Sequence, residues 1–210
     1  MDSKMNKQRA QCRRAGTKLF LKGEKCNGPK CALVKRNYPS GVHGLMRKRA
    51  KKSVYGRQLA EKQRAKEIYG LRERQLSKYM REAATKIGNT GQYLLTFLES
   101  RLDNVVFRMG LGDSRAQAKQ IVSHGHILVN GKKVDISSYR VRVGDVIGLS
   151  DKGKKKTLFV KSTEKLSKHE PVAWISVNPK ELSCKILNTP TNETPGFDIK
   201  SLIEFYARKI

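Results

Sequence analysis

Residues 114–149 constrain the fold more than any other stretch, because the spacing of their apolar residues changes from helical to strand-like. Ser114 and Gln117 have the Ser-x-x-Gln arrangement of a capping box, which marks the first turn of a helix. Ile121 and Val122 then fall on one face, and Gly125 is typical of a helix end. These residues predict a helix of about three turns.

Beyond this helix the apolar period becomes two. The apolar run 127–129 is followed by Asn130 and Gly131, the strongest short signal for a tight β-hairpin. Residues 140–143, Arg-Val-Arg-Val, alternate as in a strand, and another strand is predicted over residues 146–149. We therefore predict a small unit in which helices pack on a short antiparallel sheet.

Further helices are predicted on both sides of this unit. The Ser53 side chain is suited to cap a helix that runs to about residue 68, and a second helix is predicted over residues 72–87. A single apolar stripe predicts one helix over residues 90–110. Residues 199–206 also have helical apolar spacing, so we expect this terminal segment to pack back onto the protein.

The charge of the chain indicates the class of its partner. There are 45 Lys and Arg against 18 Asp and Glu, a formal net charge of +27. Such an excess repels itself in a compact domain and favours a polyanionic partner. An anionic membrane would require an amphipathic helix or an apolar span, and the sequence contains neither an 18-residue apolar run nor a signal-peptide core. Nucleic acid is therefore the predicted partner, with no membrane association.

His124 and His126 flank a single glycine, and several interpretations apply to them. A zinc pair on a helix needs a spacing of four with Cys or acidic partners nearby, and a catalytic pair needs an acidic or nucleophilic companion. Two exposed polar residues around a helix end is the plain structural alternative. In the remaining interpretation they belong to a recognition surface, where imidazole donates to phosphate or stacks on an unpaired base.

The segment "ESRLDNVVFRMGLGDSRAQAKQIVSHGHILVNGKKVDISSYRVRVGDVI" resembles the RNA-binding module named after bacterial small ribosomal subunit protein four. The motifs "LKGEKC…KC", "YPSGVHG", "EKQRAKEIYGLRERQ", "PVAWISV" and "IEFYAR" also occur in the order that this family has them. The resemblance therefore covers nearly the whole chain.

The resemblance implies an α+β fold with two parts. A mainly helical domain is formed by the N-terminal part and the C-terminal helix, and a small α/β RNA-binding module of two helices on a short antiparallel sheet is inserted between them. The expected bounds are a basic Cys-containing extension at 1–52, the helical domain at 53–95 and 171–210, and the module with the following Lys-rich strands at 96–170.

The resemblance also implies a function without catalysis. Family members are structural components of the small ribosomal subunit that bind a helix junction in the 5′ domain of its rRNA. They nucleate assembly of the subunit body and contribute to translational accuracy. The implied partners are small-subunit rRNA, mRNA near its entry channel, and ribosomal protein five of the same subunit. We expect no homo-oligomer and a cytoplasmic location, with an organellar ribosome left open.

Two other classes of protein remain as alternatives. An RNA-modifying enzyme with this module would need a catalytic domain with a large core, and the residues outside the module are basic helices, extension and loops. A free RNA-binding or ribosome-rescue factor would not need the Cys-bearing extension.

The candidate RNA-binding residues are basic, polar or aromatic side chains in three parts of the sequence. They are Arg47, Lys48 and Arg49 in the extension; Arg57, Lys62, Arg64, Tyr69, Arg72, Arg74 and Gln75 in the helical domain; and Ser114, Arg115, Gln117, Lys119, His124, His126, Asn130, Lys132 and Lys133 in the module.

Three of the four cysteines form a separate candidate site. Cys26 and Cys31 have a spacing around a turn that suits zinc, and Cys12 would be a third thiolate. Zinc-binding members of the family have a further Cys at the position of Arg9, so the fourth ligand is missing here. Zinc and buried free thiols remain as the two alternatives, while Cys184 is expected to be an ordinary small apolar residue.

Overall fold

The protein consists of two compact units. The computed structural model describes residues 2–46, 51, 53–154, 156, 159, 166, 170–190 and 195–208. One unit, the helical unit, comprises Met1–Gly91 with Thr194–Ile210, and the other, the sheet unit, comprises Gln92–Glu193. The predicted α+β class is confirmed, since helices and an antiparallel sheet occupy different parts of the chain.

The helical unit contains mostly α-helices joined by short connections. In chain order they are α1 (Asp2–Ala15), α2 (Ala32–Lys35), α3 (Val54–Ile68), α4 (Glu73–Ala84) and the C-terminal helix α9 (Ile199–Ala207), with 3₁₀ turns at Gly23–Cys26 and Val42–Gly44. Helices α1 and α2, which contact each other, lie in the stretch that was predicted only as an extension.

Capping side chains fix where these helices begin and end. The Ser53 hydroxyl accepts a hydrogen bond from the Gly56 N–H at 3.1 Å, which confirms the predicted cap of α3. Helix α4 is shorter than the predicted 72–87 and has Thr85 as its C-cap. The Thr85 hydroxyl donates to the Glu82 carbonyl at 2.9 Å. The side chain thus occupies a backbone acceptor that a longer helix would use for its own hydrogen bonds.

Helix α9 packs back onto the helical unit, as its apolar spacing predicts. Leu202, Phe205 and Tyr206 are buried, and the helix lies against α3 and α4. The Gln58 side-chain amide of α3 donates to the Glu204 carboxylate at 2.7 Å. Apolar burial and this polar contact thus hold α9 to α3.

The sheet unit contains shorter helices and a five-stranded antiparallel sheet in the order β2-β1-β3-β5-β4. Its elements are α5 (Thr90–Glu99), α6 (Leu102–Arg108), α7 (Arg115–Ser123), β1 (Ile127–Val129), β2 (Lys132–Lys133), β3 (Val146–Leu149), α8 (Asp151–Lys154), β4 (Ile175–Asn178) and β5 (Ser183–Ile186).

The prediction of one helix over residues 90–110 is wrong, because the helix is interrupted between α5 and α6. Arg101 is extended, with φ −68° and ψ 138°, and forms an isolated β-bridge with Arg140. The next residue, Leu102, donates its N–H to the Tyr139 carbonyl at 2.8 Å. A distant segment thus supplies the hydrogen bonds that the helix would otherwise have made, and the apolar stripe continues on a second helix.

The predicted hairpin is confirmed in its position, and the structure shows its turn type. Asn130 and Gly131 have φ of 50° and 78°, the two left-handed residues of a type I′ turn. The Asn130 side chain donates to the Asp145 carboxylate at 2.8 Å and accepts from the Val146 N–H at 2.9 Å, which ties the hairpin to β3. Residues 140–143 were predicted as a strand, but the only strand pairing that they form with described residues is the isolated bridge of Arg140.

Residues 171–190 belong to the sheet unit, whereas the expected bounds assigned them to the helical domain. Strand β5 pairs with β3 and with β4, and its alternate residues Cys184 and Ile186 are buried. Trp174 is also buried in this core, as predicted for the only tryptophan. The physical reason is that β4 and β5 extend the antiparallel sheet and bury their apolar side chains there. This burial outweighs the closeness of the two strands in sequence to α9.

The described helices include none that is both long enough and apolar enough to cross a membrane.

Candidate nucleic-acid interface

The start of α7 shows what two of the candidate residues do. Ser114 is buried, and its hydroxyl accepts from the Gln117 N–H at 3.3 Å. The Gln117 side chain accepts from the N–H of Asp113 at 2.8 Å, one residue earlier than in a standard capping box. Both side chains therefore hold α7 in place, and whether they also contact RNA stays a prediction.

Arg115 lies at the edge of a buried polar network. Its Nε donates to the Asn104 side-chain oxygen at 2.8 Å, and its guanidinium carbon is 4.7 Å from the centre of the Phe107 ring. Its Nη2 is 3.9 Å from the Glu99 carboxylate, and the side chain is 18% exposed. The guanidinium thus has a fixed orientation at the surface of the unit.

Glu99 is the centre of that network, and the sequence gives little sign of it. Its side chain is 1% exposed and accepts from the Asn104 amide at 2.7 Å. Arg108 binds both carboxylate oxygens, at 3.0 and 3.1 Å, in a bidentate pair. Nine residues separate Glu99 from Arg108, so the pair depends on the break between α5 and α6 and has no local sequence signal. A neighbouring buried pair joins Arg101 and Asp103 at 2.6 Å.

The hairpin and the end of α7 carry the most exposed candidates of the sheet unit. Lys132 and Lys133 are exposed on β2, His124 is exposed, and Lys119 is half-buried. The Asn130 side chain is already bonded to β3, as described above.

His126, in contrast, is 8% exposed. Its Nε2 lies 3.1 Å from the Lys156 amino nitrogen, and its ring packs edge-on against Phe159 with centroids 5.9 Å apart. Burial lowers the pKa of His126, and Lys156, His124 and Lys133 lower it further by repulsion of the imidazolium. His126 is therefore held as neutral imidazole beside cations. Lys156 was not among the predicted residues, because it lies 30 positions away.

The candidates of the helical unit divide into internal and exposed side chains. Lys62 is 6% exposed, binds the Glu73 carboxylate at 2.9 Å and lies 4.7 Å from the centre of the Phe205 ring. Arg64 pairs with Glu61 at 3.0 Å. The Lys62 contacts hold α3 to α4 and α9, whereas the Arg64 pair lies within α3 itself.

Two uncharged candidates of this unit also have structural contacts. Tyr69 is buried and meets Phe197 edge-on, with ring centroids 6.4 Å apart. The Gln75 side chain accepts from the Arg72 N–H at 3.1 Å and so caps α4. RNA contacts of either residue remain predictions.

An exposed basic face runs along α4. Arg72 and Arg74 at the start of α4 are exposed, as an RNA-contacting role requires, and so is Arg57 on α3. A cleft of about 870 Å³ borders α4 and α9, and Arg74, Lys78 and Arg81 line it together with Glu73 and Glu82. Lys78 and Arg81 were not predicted, although Lys78 is four residues after Arg74 and Arg81 is three residues after Lys78, which places all three basic residues on one helical face.

Arg47, Lys48 and Arg49 lie outside the described residues, so their predicted contacts have no structural account here.

The three N-terminal cysteines are buried free thiols in the helical unit. Burial raises the pKa of the Cys12 thiol, the Leu19 N–H opposes this effect, and Cys26 and Cys31 are close enough to raise it further. The Lys22 N–H donates to the Cys26 sulfur at 3.3 Å. Over the described ranges, no three His, Cys, Asp or Glu side chains are arranged to hold a metal ion.

Comparison with known proteins gives the class of the chain. Residues 4–99 match the ribosomal protein S4/S9 N-terminal domain, and residues 100–147 match the S4 domain. The match defines a two-part chain with an S4-type module after a helical N-terminal domain, as the resemblance predicted.

Curated relatives cover almost the whole chain. The small ribosomal subunit protein uS4 of Halothermothrix orenii is 46% identical over 199 residues, which are 94% of this chain and 95% of the relative. The uS4 proteins of Thermus thermophilus and of Clostridioides difficile are 45% and 46% identical, with the same 94% and 95% shares. The chain belongs to the small ribosomal subunit protein uS4 family.

Proposed function

We propose that this protein is a structural component of the small ribosomal subunit and binds the rRNA of that subunit. One observation carries the proposal: a member of the uS4 family has exposed cations on α4 and on the type I′ hairpin. The family is one of structural proteins, and the proposal includes no catalytic activity.

The finer target is a helix junction in the 5′ domain of small-subunit rRNA. A junction presents closely spaced phosphates, and the exposed cations neutralise several of them. A protein that makes 6–10 such contacts loses roughly three to five decades of affinity between low and moderate salt. Charge alone selects no junction, so the positions of the cations within each unit must match the contour of the RNA.

Three further parts of the proposal rest on the family resemblance. Binding at the junction nucleates assembly of the subunit body and contributes to translational accuracy. Ribosomal protein five is the neighbouring protein, and mRNA passes close to Arg47 and Arg49. The place of action is the ribosome of the cytoplasm.

Footprinting on naked small-subunit rRNA tests the proposal. The full chain is expected to protect one junction in the 5′ domain from cleavage, at a salt concentration that abolishes non-specific binding. Diffuse protection along the RNA would contradict the proposal and would leave only a polycation. Cosedimentation with mature small subunits after a high-salt wash separates a structural component from a free factor, which would be removed.

The cysteines carry a separate part of the proposal. Structural zinc sites are almost always four-coordinate, and this chain has Arg9 where the fourth thiolate would be. The described donors therefore do not fit a structural zinc ion, and we propose that Cys12, Cys26 and Cys31 act as buried thiols. Metal analysis of the purified chain tests this: far less than one zinc per chain is expected, and a stoichiometric ion would overturn it.

A further inference from the structure

Four basic side chains converge where α7 ends. The Lys156 amino nitrogen lies 3.1 Å from His126 Nε2, and the His124 and His126 ring centroids are 6.0 Å apart. The Lys133 side chain packs directly over Gly125. A Cβ added to this glycine would meet the Lys133 Cε at 2.2 Å and its Nζ at 2.7 Å. We call His124, His126, Lys133 and Lys156 the basic cluster.

Within the part of the chain that the structure describes, the side chains whose charges lower the pKa of His126 are all basic. They are Lys156, His124 and Lys133. The neighbouring helix α8 approaches the His126 side chain at Gly153. Its carboxylate, Asp151, is paired with Lys154 at 3.6 Å and its side chain is 93% exposed, while Lys152 is exposed to solvent. No described acidic group therefore balances the basic cluster.

The contact between Lys156 and His126 also fixes the charge of the ring. A lysine ammonium has donors and no acceptor, so the imidazole nitrogen that faces it must accept the hydrogen bond and carry no proton. The Phe159 ring covers His126 from another side and limits its access to water. The neutral form of His126 is thus favoured by its burial and by the charges of Lys156 and Lys133.

An anion changes this balance. A phosphate group that lies against Lys133 and Lys156 neutralises the two charges that repel a proton from His126. It also accepts hydrogen bonds from the ammonium groups, which frees the ring nitrogen to hold a proton and donate to the same phosphate.

We propose that the basic cluster binds one phosphate group of the rRNA and that His126 takes up a proton when that phosphate is bound. Lys156 then becomes an RNA-binding residue, although it lies beyond the residues 100–147 that match the S4 domain. The inference rests on the proposed function, since the RNA supplies the phosphodiester. A free phosphate ion offers the same chemistry, and the experiment distinguishes the two sources.

The direct test is an NMR titration of the histidines in the full chain, which has four. The chemical shifts of the imidazole rings are followed against pH for the protein alone, with inorganic phosphate, and with a 5′-domain rRNA fragment. The His126 pKa is expected to rise by about one unit or more with the fragment, a tenfold gain in proton affinity. A rise with the fragment supports the inference whether or not inorganic phosphate also causes one. No rise with the fragment would overturn it.

A pair of variants with the same charge tests the role of Lys156. Lys156→Gln is expected to weaken binding of the fragment about tenfold and to lower the slope of log affinity against log salt by about 0.7–0.9. Lys154→Gln removes the same charge two residues away, where the side chain faces Asp151, and is expected to change both quantities far less. Equal effects of the two variants would contradict a specific contact.

The outcomes also separate this inference from the proposed function. If the chain selects the 5′-domain junction but the His126 pKa is unchanged and Lys156→Gln behaves as Lys154→Gln, only the inference fails. If the chain selects no junction, the proposed function itself fails.

Discussion

Two groups of charges in the sheet unit are built in opposite ways. Around α5 and α6, the cations are matched to acids in a network of side chains that is mostly buried: Glu99 with Arg108, and Asp103 with Arg101. At the end of α7, the basic cluster has no described acid among the groups that act on it. Basic side chains thus serve two purposes within about 60 residues of chain.

The comparison shows that net charge alone does not identify the cations that bind RNA. A matched, buried cation contributes to the position of an element, and its loss is felt in stability. An unmatched, exposed cation contributes little to folding and acts on an external anion. The helical unit shows the same division between buried Lys62, paired with Glu73, and exposed Arg74.

The largest expected effect follows from breaking a matched pair. In Asp103→Ala the guanidinium of Arg101, which is 1% exposed, loses its bidentate acid. Removing one partner of a buried pair costs about 3–5 kcal/mol, and we expect a loss of this size in the free energy of unfolding of the sheet unit, measured by urea denaturation.

The matched control for that variant is Asp151→Ala, which breaks the exposed pair with Lys154. Its expected cost is within about 0.5 kcal/mol. Similar losses for the two variants would contradict the division between matched and unmatched charges.

An intermediate effect is expected at the glycine beneath Lys133. Gly125 has φ +68°, and a Cβ there would collide with the Lys133 side chain. Gly125→Ala is expected to lower the free energy of unfolding by about 1–2 kcal/mol through the left-handed backbone. Because the Lys133 amino group must also move, the affinity for the rRNA fragment should fall. Unchanged affinity in a folded variant would mean that the position of Lys133 does not matter.

Much of the local structure was predictable because its causes lie within a few residues. Ser53 and Ser114 cap α3 and α7, and Asn130 with Gly131 defines the hairpin turn, all as predicted. The break at Arg101 was missed because the Tyr139 carbonyl that satisfies the next N–H is distant in sequence.

The site was predictable in outline and less so in its contacts. Exposed Lys132 and Lys133 follow from the hairpin itself. The burial of Lys62 depends on α9, which lies more than 130 residues later, and the contact of His126 with Lys156 depends on the chain returning after β3. Such contacts are set by tertiary packing, and residue spacing carries no signal for them.

A smaller effect on stability is expected from pH. The pKa of His126 is below its ordinary value of 6.5 in the folded protein, so the unfolded chain binds more protons as the pH falls through that value. The free energy of unfolding is therefore expected to decrease on going from about pH 7.5 to about pH 5.5. The decrease should be smaller in His126→Asn than in His124→Asn, measured by denaturation at both pH values. A larger decrease in His126→Asn would contradict the assignment.

The smallest effect on stability is expected at an unmatched cation. Lys133→Gln should change the free energy of unfolding by less than about 0.5 kcal/mol, because the side chain is exposed. Its affinity for the rRNA fragment should nevertheless fall, with a salt slope lower by about one. A large loss of stability, detected by urea denaturation, would place Lys133 among the structural charges.

The most direct test of the account moves a charge without changing the total. Lys133→Gln removes a cation from the basic cluster, and Glu181→Gln, at an exposed acid near β5, restores the net charge of +27. The account predicts that the double variant binds the 5′-domain junction more weakly than the unmodified chain. Its affinity should exceed that of Lys133→Gln alone by no more than about twofold. Binding equal to that of the unmodified chain would contradict it, because the amount of positive charge rather than its placement would then select the RNA.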